Sequence, residues 1–459
     1  MDYKKKCLPL QSQTTKRSVR ITVSTQDSQS CNRGSIPLPT TRDSQQRVFF
    51  LYYICRMIRK IVIACDSFKG CLSSEEVARA AADGVRRAHP ECSIEEVAVA
   101  DGGEGTAGIL VKALGGKAVT AYVSDPLGRQ ITAEYGIAEM GTETGSEDAI
   151  GCKVRTAIIE MAQASGLTLL AENERNPLNT STFGTGEMIL DALNKGCRRF
   201  LIGIGGSATN DGGTGMLEAL GVRFLDKTGK VIKGCCGKTL SEIASIDDSN
   251  LDAKAKESTF VIACDVTTPF CGEDGATKIF APQKGASIED ISILETGMAS
   301  LNKIIREKKG IDLGKMEGTG AAGGIGGAFK AFLNARLMKG VDMVLDSIGF
   351  DDIVKDADLV ITGEGRIDSQ SSKGKLIHGV LNRAERFDVP VIAIGGIIDF
   401  GDDPATEENF KGIYAIAPRP QNESDLRNAM RPEVATKNIS DTVVRALEEL
   451  FPSSCHGNL

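Results

Sequence analysis

"KIVIACDSFKGCLSSEEVARAAADGVRRA", residues 60–88, contains the unit that decides the fold. Its first six residues, 60–65, form an apolar run that predicts a buried strand. Residues 73–88 predict a helix, because Ser73 and Glu76 have the spacing of a capping box at its start. A strand, a polar loop and an amphipathic helix in this order are typical of a parallel α/β sheet.

The same alternation recurs along the chain. Further strands are predicted at 93–100, 199–204, 259–264, 356–362 and 389–396. We therefore predict an α/β fold with two domains. One is a Rossmann-like domain with a mainly parallel sheet, formed by residues 57–111 plus 284–459. The other is a smaller α/β domain, residues 112–283, inserted into the first.

The first 56 residues differ in composition from the rest of the chain. They carry ten Lys or Arg residues and no Glu, and they are rich in Ser, Thr and Gln. Such a segment buries too little apolar surface to order itself. We predict a disordered or non-native extension over residues 1–56, with a targeting leader as the alternative.

Composition excludes several classes of protein. A formal net charge of -7 argues against a nucleic-acid partner, and the apolar stretch 48–55 is too short to span a membrane. The 13 cysteines form no CxxC pair, which indicates reduced thiols and a cytoplasmic protein rather than a zinc site or a disulfide framework. The sequence leaves a homodimer open.

Five predicted strands are each followed by an acidic side chain, and most of these loops also contain glycine. The acids are Asp66, Asp101, Asp211, Asp265 and Glu364. Ligands of open α/β sheets bind outside the carboxyl ends of the strands. A site for a metal-bound polyphosphate needs oxygen ligands, a base and glycine amides at that edge. The basic residues that would neutralise the phosphate are Lys69, Arg366, Lys373 and Lys375.

Two familiar nucleotide motifs give a weaker match. A P-loop is absent around Gly237 and Lys238, because Ile232 stands at the position of the first glycine. The dinucleotide fingerprint occurs as Gly318, Gly320 and Gly323. An NAD-dependent hydroxy-acid oxidoreductase is therefore an alternative function, although the polar segment before these glycines does not predict the strand that the fingerprint requires.

The motifs together resemble those of a known family. "KIVIACDSFKG", "VADGGEGT", "SDPLGR", "GIGGSATNDGG", "CDVTTPF", "FAPQKGA", "GTGAAGGIGG" and "TGEGRIDSQSSKGK" are similar, in this order, to motifs of the bacterial glycerate kinases related to the glycerate 2-kinases of glucarate and glyoxylate metabolism. The resemblance runs from about residue 57 to about residue 450. It implies a kinase that uses ATP and Mg²⁺ to phosphorylate D-glycerate in a cleft between two domains. It implies the 2-hydroxyl as the acceptor, giving 2-phosphoglycerate, with a glycerate 3-kinase giving 3-phosphoglycerate as the alternative.

All of the strand-end acids except Asp265 receive a role as a hypothesis, together with neighbouring residues of their loops. Asp66 or Asp211 accepts the proton of the substrate hydroxyl, and Lys69 offsets charge on the transferred phosphoryl group. Substrate binding is assigned to Ser67, Asn210 and Arg366, although Asn210 and Asp211 are alternatively assigned to the metal. Nucleotide or phosphate binding is assigned to Gly205, Gly206, Ser207, Gly363, Gly365, Lys373 and Lys375. Metal binding is assigned to Asp101, Glu104 and Glu364.

Overall fold

Two larger β-sheets organise the fold, and their strands come from different stretches of the chain. The computed structural model describes residues 58–103, 105–141, 153–368, 376–399, 409–418 and 422–451. The predicted N-terminal extension, residues 1–56, lies outside this part of the chain, and so do Glu104, Lys373 and Lys375.

The described strands and helices alternate as predicted for most of the chain. The strands are β1 Lys60–Cys65, β2 Ser93–Glu96, β3 Lys117–Ser124, β4 Gln130–Gly141, β5 Lys153–Glu160, β6 Arg199–Gly203, β7 Arg223–Leu225, β8 Val231–Ile232, β9 Ser245–Asp247, β10 Thr259–Ala263, β11 Arg336–Met338, β12 Leu359–Asp368, β13 Val391–Asp399 and β14 Gly412–Ala415. The helices are α1 Ser74–Ala88, α2 Thr106–Ala113, α3 Ala162–Ser165, α4 Phe183–Asn194, α5 Thr214–Ala219, α6 Ala253–Lys256, α7 Ala276–Phe280, α8 Ile288–Lys309, α9 Ile325–Leu333, α10 Gly340–Ser347, α11 Phe350–Val354, α12 Leu376–Glu385, α13 Glu423–Ala429 and α14 Pro432–Leu450. Short 3₁₀ segments connect several of them, at Leu167–Leu169, Glu172–Glu174, Gly237–Glu242, Pro282–Lys284, Leu313–Lys315 and Ala321–Gly324.

The first sheet is parallel throughout its described strands, in the order β14-β13-β12-β1-β2. Helices α1 and α14 cover one face, where Val77 and Val443 belong to the same buried core as Ile61. On the other face Val62 belongs to a core that also contains Leu345 of α10. A parallel sheet covered by helices on both faces is the expected form of the predicted α/β fold class, which is therefore confirmed.

The second sheet is mixed and has the order β11-β10-β6-β5-β4-β3. Strands β3, β4 and β5 pair antiparallel, whereas β5, β6, β10 and β11 pair parallel. Phe200 and Phe260 stack in its core with ring centroids 4.6 Å apart. A small antiparallel sheet, β8-β7-β9, is formed within the same stretch of chain. The limits of an inserted domain at residues 112 and 283 stay predictions.

Helix α10 joins the cores of the two larger sheets. Its Val341 and Leu345 belong to the core of the first sheet, whereas its Met343 and Val344 belong to a core beneath the second sheet. The helix therefore has two apolar, buried faces, one in each core. The two sheets are held together through one short helix as well as through the chain itself.

Local signals at the start of the fold predict the structure closely. Strand β1 has the predicted bounds, and the Ser73 hydroxyl accepts a hydrogen bond from the Glu76 amide while the Glu76 carboxylate accepts one from the Ser73 amide. Three later predictions of strand length were wrong. Strand β2 ends at Glu96 instead of residue 100, β12 continues to Asp368 instead of ending at residue 362, and β13 continues to Asp399 instead of ending at residue 396. The predicted loop "GEGRID" is therefore strand, because it pairs with β13 along its length.

No helix within the described ranges is long and apolar enough to cross a membrane.

A side chain at Gly84 should destabilise the contact between α1 and α14. A Cβ atom there would lie 2.6 Å from the Ser440 carbonyl oxygen and 2.8 Å from the Val443 Cβ. We expect Gly84→Ala to lower the free energy of unfolding by about 1–3 kcal/mol in denaturant titrations, because overpacking displaces α14. Gly108→Ala in α2 is the matched control, since a Cβ there meets no described atom within 4 Å. It should stabilise by roughly 0.5–1 kcal/mol, and equal effects of the two substitutions would contradict this account of the contact.

Candidate active site

The loop after β1 places Asp66 at the carboxyl edge of the first sheet. The Asp66 amide donates to the Gly363 carbonyl oxygen at 2.8 Å, which continues the pairing of β1 with β12. Phe68 and Leu72 then form an isolated bridge that closes the loop, and both are buried. Burying these two apolar side chains anchors a loop whose Lys69 side chain is 80% exposed.

Asp66 is a buried carboxyl whose ionisation its surroundings disfavour. It is 8% exposed. Burial raises its pKa, and the negative charge of Asp101 raises it further. The Ser67 amide, which donates to Oδ1 at 2.7 Å, and the charge of Lys69 oppose the shift without cancelling it. The Lys69 Nζ lies 3.7 Å from Asp101 Oδ2. Asp66 therefore has the raised pKa that suits a general base.

Strand β12 brings three further predicted residues beside this loop. Glu364 is buried, and a Cβ on Gly365 would lie 3.3 Å from the Phe68 Cα, so the strand and the loop are in close contact. Arg366 is mainly exposed. Its guanidinium lies 3.2 Å from Asp368 and 3.6 Å from Asp399.

A cleft of about 400 Å³ opens over these groups. Its polar lining consists of Asp66, Ser67, Lys69, Asp101, Glu364 and Arg366, and its apolar lining includes Ile397, Ile416, Pro418 and Met430. Gly365 also lines the cleft, so the structure brings together seven of the predicted site residues from three separate stretches of chain. Gly363 also lies at this edge, through its bond to the Asp66 amide.

A second loop, residues 204–213 after β6, contains the other predicted residues. Gly205 and Gly206 are exposed, and Gly206 has a φ of +71°. Within the described part of the chain, the amides of Gly205, Gly206 and Ser207 donate to no acceptor. Successive amides with one residue in the left-handed region form a concave anion-binding arrangement. Gly205, Gly206 and Ser207 do not line the cleft described above, and their assignment to phosphate stays a prediction.

Asn210 and Asp211 are buried residues of this loop and do not line the cleft. Asp211 is fully buried, and its carboxylate accepts from the Thr182 amide and hydroxyl and from the amides of Gly213 and Gly215, at 2.7–3.2 Å. Burial raises its pKa, and these four donors lower it. Asn210 donates to the Thr277 hydroxyl at 3.1 Å, and its Oδ1 has no partner among the described residues. Asp211 therefore holds the loop together in this structure.

The glycines of the dinucleotide fingerprint support the same loop from the other side. A Cβ on Gly323 would lie 2.0 Å from the Thr209 carbonyl oxygen, and one on Gly320 would lie 2.1 Å from the Pro269 carbonyl oxygen. The segment before them is a short 3₁₀ turn, Leu313–Lys315, instead of a strand. These glycines permit close packing between loops, and the context that a dinucleotide site requires is missing at this position.

Two residues that received no role from the sequence also belong to this region. Asp265 accepts from the Gly340 amide at 2.8 Å, and burial and the charge of Asp101 raise its pKa. Lys284 is 2% exposed, and its Nζ donates to the Ser207 hydroxyl at 2.8 Å and to the Thr209 carbonyl at 2.7 Å. Burial lowers the pKa of Lys284 to about 7. The only sequence signal for this lysine is its place within "FAPQKGA".

The predicted metal-binding residues are only partly described. Asp101 and Glu364 line the cleft, whereas Glu104 lies outside the described residues. No group of three or more His, Cys, Asp or Glu side chains in the described ranges is arranged to hold a metal ion.

Comparisons with known proteins agree on one family. A sequence profile described as the glycerate kinase family matches residues 61–448. A glycerate kinase of Bacillus subtilis strain 168 is 44% identical over 359 residues, which are 78% of this chain and 90% of that protein. A glycerate 2-kinase of Escherichia coli K12 is 45% identical over 357 residues, with 78% and 90% of the two chains covered.

A solved structure supports the same assignment. A crystal structure provisionally assigned to a glycerate kinase 2 of Salmonella typhimurium LT2 aligns with a TM-score of 0.72 and 41% identity, over 85% of this chain and all of that one. The profile matches most of the chain, the relatives are more than 40% identical, and the solved structure has the same fold. The chain therefore belongs to the glycerate kinase family, whose members are phosphotransferases.

Proposed function

We propose that this protein transfers the γ-phosphoryl group of ATP to the 2-hydroxyl of D-glycerate and releases 2-phosphoglycerate. The observation that carries the proposal is the position of Asp66, a buried carboxyl in the cleft, within the electrostatic reach of Lys69 and Asp101. The relative from Escherichia coli that is named a glycerate 2-kinase supports the 2-position, although other relatives are named simply glycerate kinase.

Asp66 is our choice for the proton acceptor. It lines the cleft, and its raised pKa makes it a stronger base than an ordinary aspartate. Asp211 is the alternative from the sequence, but its oxygens already accept four hydrogen bonds in a fully buried position. A substrate could reach Asp211 only after the loop opened. We therefore assign the chemistry to Asp66 and the integrity of the loop to Asp211.

The charges around Asp66 suit an anionic substrate and an anionic transition state. Lys69 and Arg366 are 80% and 58% exposed, and both line the cleft. We assign Lys69 to the transferred phosphoryl group and Arg366 to the glycerate carboxylate, because guanidinium groups bind carboxylates in a bidentate way. Ser67 lines the cleft, and we assign it to substrate contact. Asn210 is a more remote candidate, because it is a buried residue of the second loop.

Mg²⁺ fits the donor set of the cleft. This ion prefers oxygen ligands, keeps several of its waters and is commonly held by one or two carboxylates together with substrate phosphates. Asp101 and Glu364 provide two carboxylates in the same cleft, and we propose that they hold the ion. When bound, Mg²⁺ would neutralise charge on the phosphate oxygens. The amides of Gly205–Ser207 would hold other phosphate oxygens.

The activity is tested by release of ADP from ATP in the presence of D-glycerate, with ³¹P NMR to identify the product. Asp66→Asn should lower kcat by about 100-fold to 10,000-fold, the usual contribution of a general base. Asp83→Asn on the exposed surface of α1 is the control, since Asp83 pairs only with Arg86 there. Normal turnover in Asp66→Asn would contradict the assignment of the base, and 3-phosphoglycerate as the product would contradict the 2-position.

The pH dependence of Asp101→Asn tests the electrostatic coupling. The negative charge of Asp101 raises the pKa of Asp66, so its removal lowers that pKa. A base with a lower pKa stays deprotonated to a lower pH. The acidic limb of the kcat/KM profile for D-glycerate should therefore move to lower pH in Asp101→Asn, whatever the change in maximal rate. An acidic limb that stays in place would show that Asp66 is not the titrating group.

Asp211→Asn tests whether Asp211 stabilises the second loop or acts as the base in catalysis. The amide group would turn N–H donors toward the donors of Thr182, Gly213 or Gly215, and we expect a loss of about 1–3 kcal/mol in the free energy of unfolding. Asp66→Asn should leave stability unchanged or raised, because it removes a buried carboxyl with a raised pKa. Denaturant titrations and kcat measured on both variants decide the matter. A stable Asp211→Asn variant with no turnover would make Asp211 the base.

A further inference from the structure

Lys284 is a buried amine for which the described residues provide no bonded anion, and burial lowers its pKa to about 7, so a bound anion would favour its charged form. Its Nζ donates only to neutral oxygens, the Ser207 hydroxyl and the Thr209 carbonyl, and it forms no ion pair with any residue that the structure describes. Buried charges are normally paired, because an isolated ion in a protein interior loses its hydration without compensation. Asp211 is the charged group that acts on it most clearly, and its own oxygens already accept from four other donors.

The groups above Lys284 are also donors without acceptors. The amides of Gly205, Gly206 and Ser207 donate to nothing in the described chain, and neither does the Ser207 hydroxyl. Because this hydroxyl accepts from Lys284, its own proton is available to a further acceptor. Three amides and one hydroxyl on consecutive residues therefore lack an acceptor among the described residues, and the Lys284 Nζ lies 2.8 Å from that hydroxyl oxygen.

We propose that Lys284 supplies the buried positive charge of a phosphate subsite formed by Gly205, Gly206 and Ser207, and that it acts by fixing the Ser207 hydroxyl as a donor to a nucleotide phosphate oxygen. This inference rests on the proposed function for its ligand. Lys284 is a positioning residue, since it contacts Ser207 and the loop. A phosphate suits the subsite better than a carboxylate, because it has enough oxygens for four donors and carries more charge.

The role of Lys284 predicts a selective loss of nucleotide affinity. Lys284→Met keeps an unbranched side chain that is one atom shorter, and it removes the charge and both hydrogen bonds. Hydrogen bonds that involve a charged group are worth about 1.5–3 kcal/mol, so binding of ATP, measured by calorimetry, should weaken about 10-fold to 100-fold. Binding of D-glycerate should change less than about twofold. Lys278→Met in α7 is the matched control, because that lysine is partly exposed and pairs only with Glu273.

A double-mutant cycle distinguishes positioning through Ser207 from a general structural effect. If Lys284 acts through the Ser207 hydroxyl, Lys284→Met should weaken ATP binding at least threefold less in a Ser207→Ala background than in the wild-type protein. Additive effects of the two substitutions would overturn that route. Circular dichroism and thermal unfolding establish that each variant is folded.

Other outcomes decide the proposal as well. ATP affinity within twofold of wild type in a folded Lys284→Met variant would overturn it, and so would a loss of D-glycerate affinity with ATP binding intact. If Lys284→Met fails to fold, Ser207→Ala must weaken binding of ATP without weakening binding of D-glycerate, or the subsite is wrong. A wild-type protein that binds ATP through Lys284 but does not phosphorylate D-glycerate would refute the proposed function and leave the subsite in place.

Discussion

Gly102 and Gly340 lie in direct contact, and this contact holds the loops of the two larger sheets against each other. A Cβ on Gly102 would lie 2.3 Å from the Gly340 Cα, and Gly102 has a φ of +91°, so a larger residue is excluded there by both space and conformation. The Gly340 amide also donates to Asp265, at the end of β10. Helix α10 begins at Gly340 and packs into the cores of both sheets. The loop that contains Asp101 is therefore fixed between the two halves of the fold.

This junction explains why acidic groups accumulate at the cleft. The charge of Asp101 raises the pKa of Asp66 in the first sheet and of Asp265 in the second. Asp66 and Asp265 would ionise more readily without the charge of Asp101, so this proximity costs stability in the ligand-free protein. The charge of Lys69 offsets this repulsion weakly, because its side chain is exposed and solvent screens the charge. Natural proteins accept such local conflicts mainly where function requires them. A cation-bearing phosphoryl donor is a ligand that would relieve the repulsion.

Features set by neighbouring residues could be predicted, and those set by distant contacts could not. Strand β1 and the capping box of α1 follow from patterns within a few residues. The length of β12 depends on its pairing with β13, which overrides its two glycines. The hydrogen bonds of Asp211 reach Thr182, 29 residues away, and those of Lys284 reach residues 75 and 77 positions away. The acids of the cleft were predicted because one rule, binding at carboxyl ends of strands, applies to all of them.

The two sides of the site differ in how firmly their groups are held. The second loop is fixed from within by a buried carboxylate, Asp211, and a buried ammonium, Lys284, so its free amides keep their positions without a ligand. The first sheet instead presents Lys69 and Arg366 on largely exposed side chains. Preorganised dipoles stabilise a developing charge without reorganisation, whereas long exposed side chains lose rotamer entropy when they engage a substrate. The internally hydrogen-bonded loop therefore suits the phosphate binding that we propose for it, and the exposed side chains suit the roles that we propose for Lys69 at the phosphoryl group and Arg366 at the substrate carboxylate.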